Sequence, residues 1–135
     1  MELLVNIDVD DLERGVAFYV AAFGLRVGRR FGDDGAELVG GSSKVYLLRK
    51  PAGSGAVAGG GAAVRDYRRH WTPVHIDIVV DDVAAAVARA EAAGAIVERP
   101  IATYAWGTIA GLADPFGHGV CVLKLSERGY DAVTT

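Results

Sequence analysis

The chain has a single cysteine, Cys121, among its 135 residues. One thiol cannot close an intramolecular disulfide, and no Cys-x-x-Cys pair is present to seed a zinc site, so a disulfide-stapled scaffold is excluded. Long apolar runs are also missing. Asp, Arg or Gly interrupts every one of them well short of the roughly 18 residues that a membrane-spanning helix requires. There is no excess of positive charge. With 14 basic and 17 acidic residues the formal net charge is −3, and basic residues gather only at 26–30 and 65–69, which argues against nucleic acid as a partner. The first ten residues carry acids where a secretory leader is basic, and no small-residue cleavage site follows an apolar run. With an unpaired thiol, these features lead to the expectation of a cytoplasmic protein.

What the chain does have is apolar bulk, at 51% of residues, and glycine, at 18 residues. The length suits one domain, and the apolar fraction is ample for a packed core. Glycine concentrates in PAGSGAVAGGG at 51–61, where side chains are too small to pack. Residues 51–69 are therefore expected to be a linker between a first module at 1–50 and a second at 70–135.

The two halves carry one pattern. With Asp11 placed over Asp82, LLVNIDVDDLERGVAFY overlays VHIDIVVDDVAAAVARA as a strand-like run, an acidic pair and a helix-like run. Leu12, Val16, Tyr19 and Phe23 lie on one face of a helix that Asp10 or Asp11 caps and Gly24 stops. Val83, Val87 and Ala90 repeat the spacing between Asp82 and Gly94. Short β-favouring runs follow each helix, at 25–29, 36–39 and 44–48, then at 96–98, 108–112 and 120–125, separated by GDDG, GGSS and DPFGHG turns. The expected fold is α+β: two βαβββ modules forming a cupped, partly open barrel-like sheet. A ferredoxin-like α+β domain is the alternative.

The segments DLERGVAFYVAAFGLRVGRR, VHIDIVVDDVAAAVARAEAAGA and LADPFGHGVCVLKL, the last an Asp-Pro-x-Gly hairpin after a strand, resemble the vicinal oxygen chelate superfamily. That superfamily includes glyoxalase I, bleomycin-resistance proteins, fosfomycin-resistance enzymes and extradiol dioxygenases. The resemblance implies a concave sheet that holds a small ligand, often with a divalent metal bound by His or Glu from the first and fourth strands of each half, and it implies a homodimer. At the matching positions this chain has Leu4 and His75 on the first strands and Cys121 on the last, while 44–48 offer no carboxylate or imidazole. About three protein ligands are usual for a catalytic zinc or iron. The expectation is therefore that the chelate is absent and no cofactor is needed, with a divalent metal held by His75 with Asp77 or Cys121 as the alternative.

Strand alternation gives a separate reading, because residues two apart share a face. Leu3, Val5, Ile7 and Val9 form one apolar set, and Ile76, Ile78 and Val80 another, so both sets should face the helices. Asn6, Asp8, His75 and Asp77 then point to the concave side. On a buried sheet such polar groups need partners, since each unpaired one costs roughly 1 to 3 kcal/mol. His75 and Asp77 are the candidate catalytic pair, with Asp77 or Asp8 orienting the ring. Asn6, Asp8 and Cys121 are candidate ligand contacts, as are Tyr104 and Trp106 at the pocket mouth. Arg65, Arg68 and Arg69 are expected to form a solvated turn, the alternative being a lid that attracts an anionic ligand.

Three functions remain open from these residues. The first is a metal-independent protein that binds and sequesters a small organic molecule. The second is a lyase, isomerase or dioxygenase that uses His75 with an Asp, with or without a divalent metal. The third is a structural or protein-binding module.

Overall fold

The computed structural model describes all 135 residues, Met1–Thr135, and divides into two compact units, Met1–Arg68 and Arg69–Thr135. The first unit runs β1 (Val5–Val9), α1 (Leu12–Phe23), β2 (Arg26–Arg30), β3 (Gly35–Val39) and β4 (Val45–Arg49). Its sheet order is β1-β4-β3-β2, with β1 parallel to β4 and the other pairs antiparallel. The second unit repeats this plan with β5 (Ile76–Val79), α2 (Val83–Ala93), β6 (Ile96–Tyr104), β7 (Gly107–Ala113) and β8 (Gly119–Leu125), in the order β5-β8-β7-β6. Each half is thus a βαβββ unit with its own open four-stranded mixed sheet. No helix is long and apolar enough to cross a membrane.

The local signals explain the helix ends. Asp11 accepts a hydrogen bond from the Arg14 amide at 3.0 Å and Asp82 from the Ala85 amide at 2.9 Å, so each satisfies an N-terminal donor that has no partner within the helix. Gly24 and Gly94 close the helices at φ 68° and 116°, where a Cβ would be strained.

Each helix buries its apolar stripe on one face of its own sheet. In the first unit Phe18 packs with Val9, Leu38 and Leu47 in the buried core, and Gly15 lets α1 approach so closely that a Cβ there would sit 3.2 Å from Val9. In the second unit α2 contributes Val83, Ala86, Val87 and Ala90 over Leu112 and Val122, which share one face of the sheet.

Two segments differ from the sequence expectations. The strand anticipated at 96–98 continues to Tyr104 through Pro100, which is tolerated because β6 is an edge strand whose pairing with β7 is interrupted by register shifts. The glycine-rich stretch is tied to the first unit. Gly55 and Val64 form an antiparallel bridge, Tyr67 donates to the Lys50 carbonyl at 2.6 Å, and Arg65 pairs with Asp8 at 2.7 Å. Arg65 is thus not part of a solvated turn, because the chain folds back along β1 and delivers its guanidinium to Asp8.

Candidate functional site

The second unit holds the densest chemistry. β5 presents Ile76 and Ile78 to the helix side and leaves Asp77 on the open face. β5 pairs in parallel with β8, and Asp77 is the direct partner of Cys121. Partners in a ladder share a face, as do residues two apart on one strand. His75, Asp77 and Cys121 therefore meet: His75 Nε2 lies 3.2 Å from Asp77 Oδ1, and the three potential ligand atoms all lie within 4.8 Å of one another.

Two corrections to the sequence reading follow. The side chains of His75 and Asp77 are 58% and 39% exposed, so water satisfies them and no burial penalty compels their pairing. The ligand count was also too low. The sequence offers Asp77 or Cys121 as a partner for His75, whereas the parallel β5–β8 register brings both to it, making three donors. An imidazole, a carboxylate and a thiol make a mixed N, O and S donor set of the kind that zinc and similar divalent metals accept, with three protein ligands leaving a position open.

Cys121 is buried, and its thiol is pushed above its ordinary value first by that burial and then by the negative charge of Asp77. Arg99 acts in the opposite direction, with one guanidinium nitrogen 3.9 Å from the sulfur. The thiol by itself is thus a poor nucleophile, although a coordinated metal would remove its proton.

A cavity of about 150 Å³ opens beside this cluster, walled by Arg69, Trp71, His75, Arg99, Leu112 and Cys121. An engineered cavity of about that size accepts benzene. Trp71 is 81% exposed, an apolar surface free to cover a ligand. Arg69 is held by Glu98, with contacts of 2.6 and 3.1 Å, and donates to the Gly117 carbonyl at 3.1 Å, so it braces the cavity wall. A larger hollow of about 590 Å³ in the first unit is bordered by Met1 to Leu3 and by 39–44, and has no His or Cys in its wall.

Two further candidates of the second unit lie away from this cavity. Tyr104 and Trp106 are not part of this cavity wall. They stack at 5.7 Å and 3° at the β6–β7 turn, where Trp106 also meets Tyr130 at 5.5 Å. The strand length between Arg99 and Tyr104 puts them about 16 Å along β6 from the cavity. Asn6 and Asp8 belong to the first unit, where Asn6 is exposed opposite Tyr46 and Asp8 is engaged by Arg65.

Sequence reasoning missed Glu37 on β3. It is 4% exposed, accepts from Arg29 Nε at 3.1 Å and from Tyr46 Oη at 2.8 Å, and lies where a Cβ on Gly28 would come within 2.6 Å of its carboxylate. The alternation of Ala36 and Leu38 around it was the available signal. Arg29 first, and then Tyr46, hold its pKa down to about 2 from an ordinary 4.5. A depressed carboxylate contributes stability that is present above the unfolded value and is lost as pH falls through the folded one. The thermal midpoint should therefore drop between pH 4.5 and pH 2, and Glu37→Gln should flatten that part of the curve while lowering the midpoint at pH 7. Parallel curves for the two proteins in scanning calorimetry would refute this assignment.

Residues 4–123 match the family model described as a glyoxalase-like domain. An uncharacterized protein of Mycobacterium bovis is 34% identical over 116 residues, a match that covers 82% of this chain and 74% of that protein. An uncharacterized protein of Mycobacterium tuberculosis matches at the same identity and covers 82% of this chain, which spans 66% of its length. Among solved structures, TioX from Micromonospora sp. ML1 superposes with a TM-score of 0.70 at 21% identity, covering 93% of this chain and 99% of that one. The lactoylglutathione lyase of Agrobacterium tumefaciens gives 0.64 at 21% identity over 92% of each chain. The fosfomycin resistance protein FosX of Listeria monocytogenes gives 0.70 at 14% identity over 95% of each. At these identities the structural matches establish a shared fold.

Proposed function

This chain belongs to the glyoxalase-like domain family of the vicinal oxygen chelate superfamily, and from that premise we propose that its second unit is a metal-assisted site for a small organic molecule. The observation that carries this reading is the convergence of His75, Asp77 and Cys121 at the edge of a cavity sized for a ring of benzene dimensions. The reaction type is that of a lyase, isomerase or dioxygenase acting on an oxygen-bearing substrate.

In this reading His75 contributes a neutral imidazole, Asp77 a carboxylate and Cys121 a thiolate to a divalent cation. When bound, such a cation supplies Lewis acidity toward a substrate oxygen. The chain's own residues do the rest. β5 and β8 fix the donors through their backbone ladder, and Trp71 covers the ligand from the solvent side. A second reading is sequestration of the ligand with no metal, for which the cavity beside the exposed Trp71 ring suffices.

Equilibrium dialysis against cobalt(II) separates the two. The metal-assisted reading expects close to one equivalent retained per chain, with a thiolate-to-cobalt charge-transfer band that Cys121→Ser removes. Retention far below one equivalent favours sequestration.

A further inference from the structure

The cavity beside the donor cluster contains two guanidinium groups in different states. Arg69 is neutralised by Glu98 through two contacts. Arg99 makes no ion pair, and its one polar side-chain contact is the 3.9 Å approach to the Cys121 sulfur. Asp77, the carboxylate of the cluster, lies against His75 instead.

The position of Arg99 is prepared by its neighbours. It sits at an interruption of the β6–β7 register, directly opposite Gly111. A Cβ on residue 111 would come 2.8 Å from Arg99 Nε and 3.2 Å from its Cβ. The glycine therefore clears a bed on which the side chain lies across β7 toward Cys121 on β8.

Charge makes this placement consequential. A divalent metal is balanced by the carboxylate of Asp77 and the thiolate of Cys121, and the neutral imidazole of His75 adds nothing. Glu98 is ion-paired with Arg69 and also feels the charge of Arg99, so one carboxylate faces two guanidinium groups. Neither can be deprotonated in a protein, which leaves one net positive charge in the wall of a small cavity, with Arg99 the guanidinium that has no ion pair of its own. Its planar fork of donors matches a carboxylate, where two parallel N–H···O bonds form.

We infer that Arg99 is the substrate-binding residue that selects a small monoanionic carboxylic acid for this site, with Gly111 as the position that seats it. The inference rests on the metal-assisted reading of the same cavity and narrows its substrate class. The acid group meets Arg99, and a neighbouring oxygen is left toward the donor cluster.

Calorimetric titration of the cobalt(II)-loaded protein with pyruvate and with its uncharged analogue pyruvamide tests this. Pyruvate should bind at least about tenfold more tightly than pyruvamide. Arg99→Gln should remove that preference by weakening pyruvate alone, and Arg99→Lys, which keeps the charge but loses the fork, should fall between the two. Gly111→Ala leaves every charge in place, yet should also weaken pyruvate, because the added methyl group displaces the guanidinium. Equal binding of the two probes by the native protein, or a preference that survives in Arg99→Gln, overturns the inference while leaving the metal reading intact. Failure of the native protein to take up cobalt overturns both.

Discussion

Replacing His75 with alanine is expected to lower the affinity of the second unit for a divalent metal by at least about a hundredfold while barely changing its thermal midpoint. The first part follows from the donor count. His75, Asp77 and Cys121 are the only three ligands the cluster has, and loss of even an outer-shell partner of a metal ligand typically costs 10–100-fold. The second part follows from exposure. The His75 side chain is 58% exposed and supports no packing, and substitutions of that kind usually stay within about 0.5 kcal/mol. Asp77→Ala should behave in the same way, since its side chain is 39% exposed. Competition of each variant against a chromophoric chelator measures the affinity, and scanning calorimetry without metal measures the stability. An unchanged affinity in His75→Ala would show that the metal, if bound, sits elsewhere. A large fall in the midpoint would show that the ring has a structural task.

Phe116→Ala should act first on stability. The residue lies in the DPFGHG turn between β7 and β8, a position that by sequence belongs to solvent, yet its side chain is fully buried at 0% exposure. The turn is built to push it inward. Asp114, itself 3% exposed, accepts from the Phe116 amide at 2.8 Å and the His118 amide at 2.9 Å, and its own amide donates to the His118 carbonyl at 2.8 Å. Emptying such a site typically costs about 3–5 kcal/mol. For a chain of this size that is a fall of about 10–20 °C in Tm. Phe116→Leu, which refills most of the volume, should recover the larger part of it. Cys121 stands on β8 just beyond this turn, so a soluble Phe116→Ala protein should also bind metal more weakly, through loss of order at the strand rather than loss of a donor. A fall of only a few degrees would mean that the turn collapses onto the vacated space.

The contrast between these two residues marks how far the sequence could be read. Periodicity and caps are local, so the helix after each acidic pair, the glycine stops and the inward or outward sense of β1 and β5 were legible from neighbouring residues. Glu37 had a local signal as well, flanked by Ala36 and Leu38 on a strand of period two, but its burial depends on Arg29 and Tyr46 from the neighbouring strands. Where Tyr104 and Trp106 stand was not legible, because the length of β6 depends on an edge strand tolerating Pro100, and that length carries both aromatics to the far end of the hairpin.

By itself, the sequence determined a duplicated βαβββ unit, a family resemblance spanning nearly the whole chain, and His75 with Asp77 on the open face of a strand. Only the tertiary structure decided that Asp77 stands beside Cys121, that Arg65 folds back onto Asp8, that Arg99 lies unpaired across Gly111, and that Phe116 turns inward. The physical reason is the range of each interaction. Hydrophobic periodicity and capping act within a few residues along the chain, whereas a ladder register brings together residues far apart in sequence, and no local pattern encodes which carbonyl a given amide will meet.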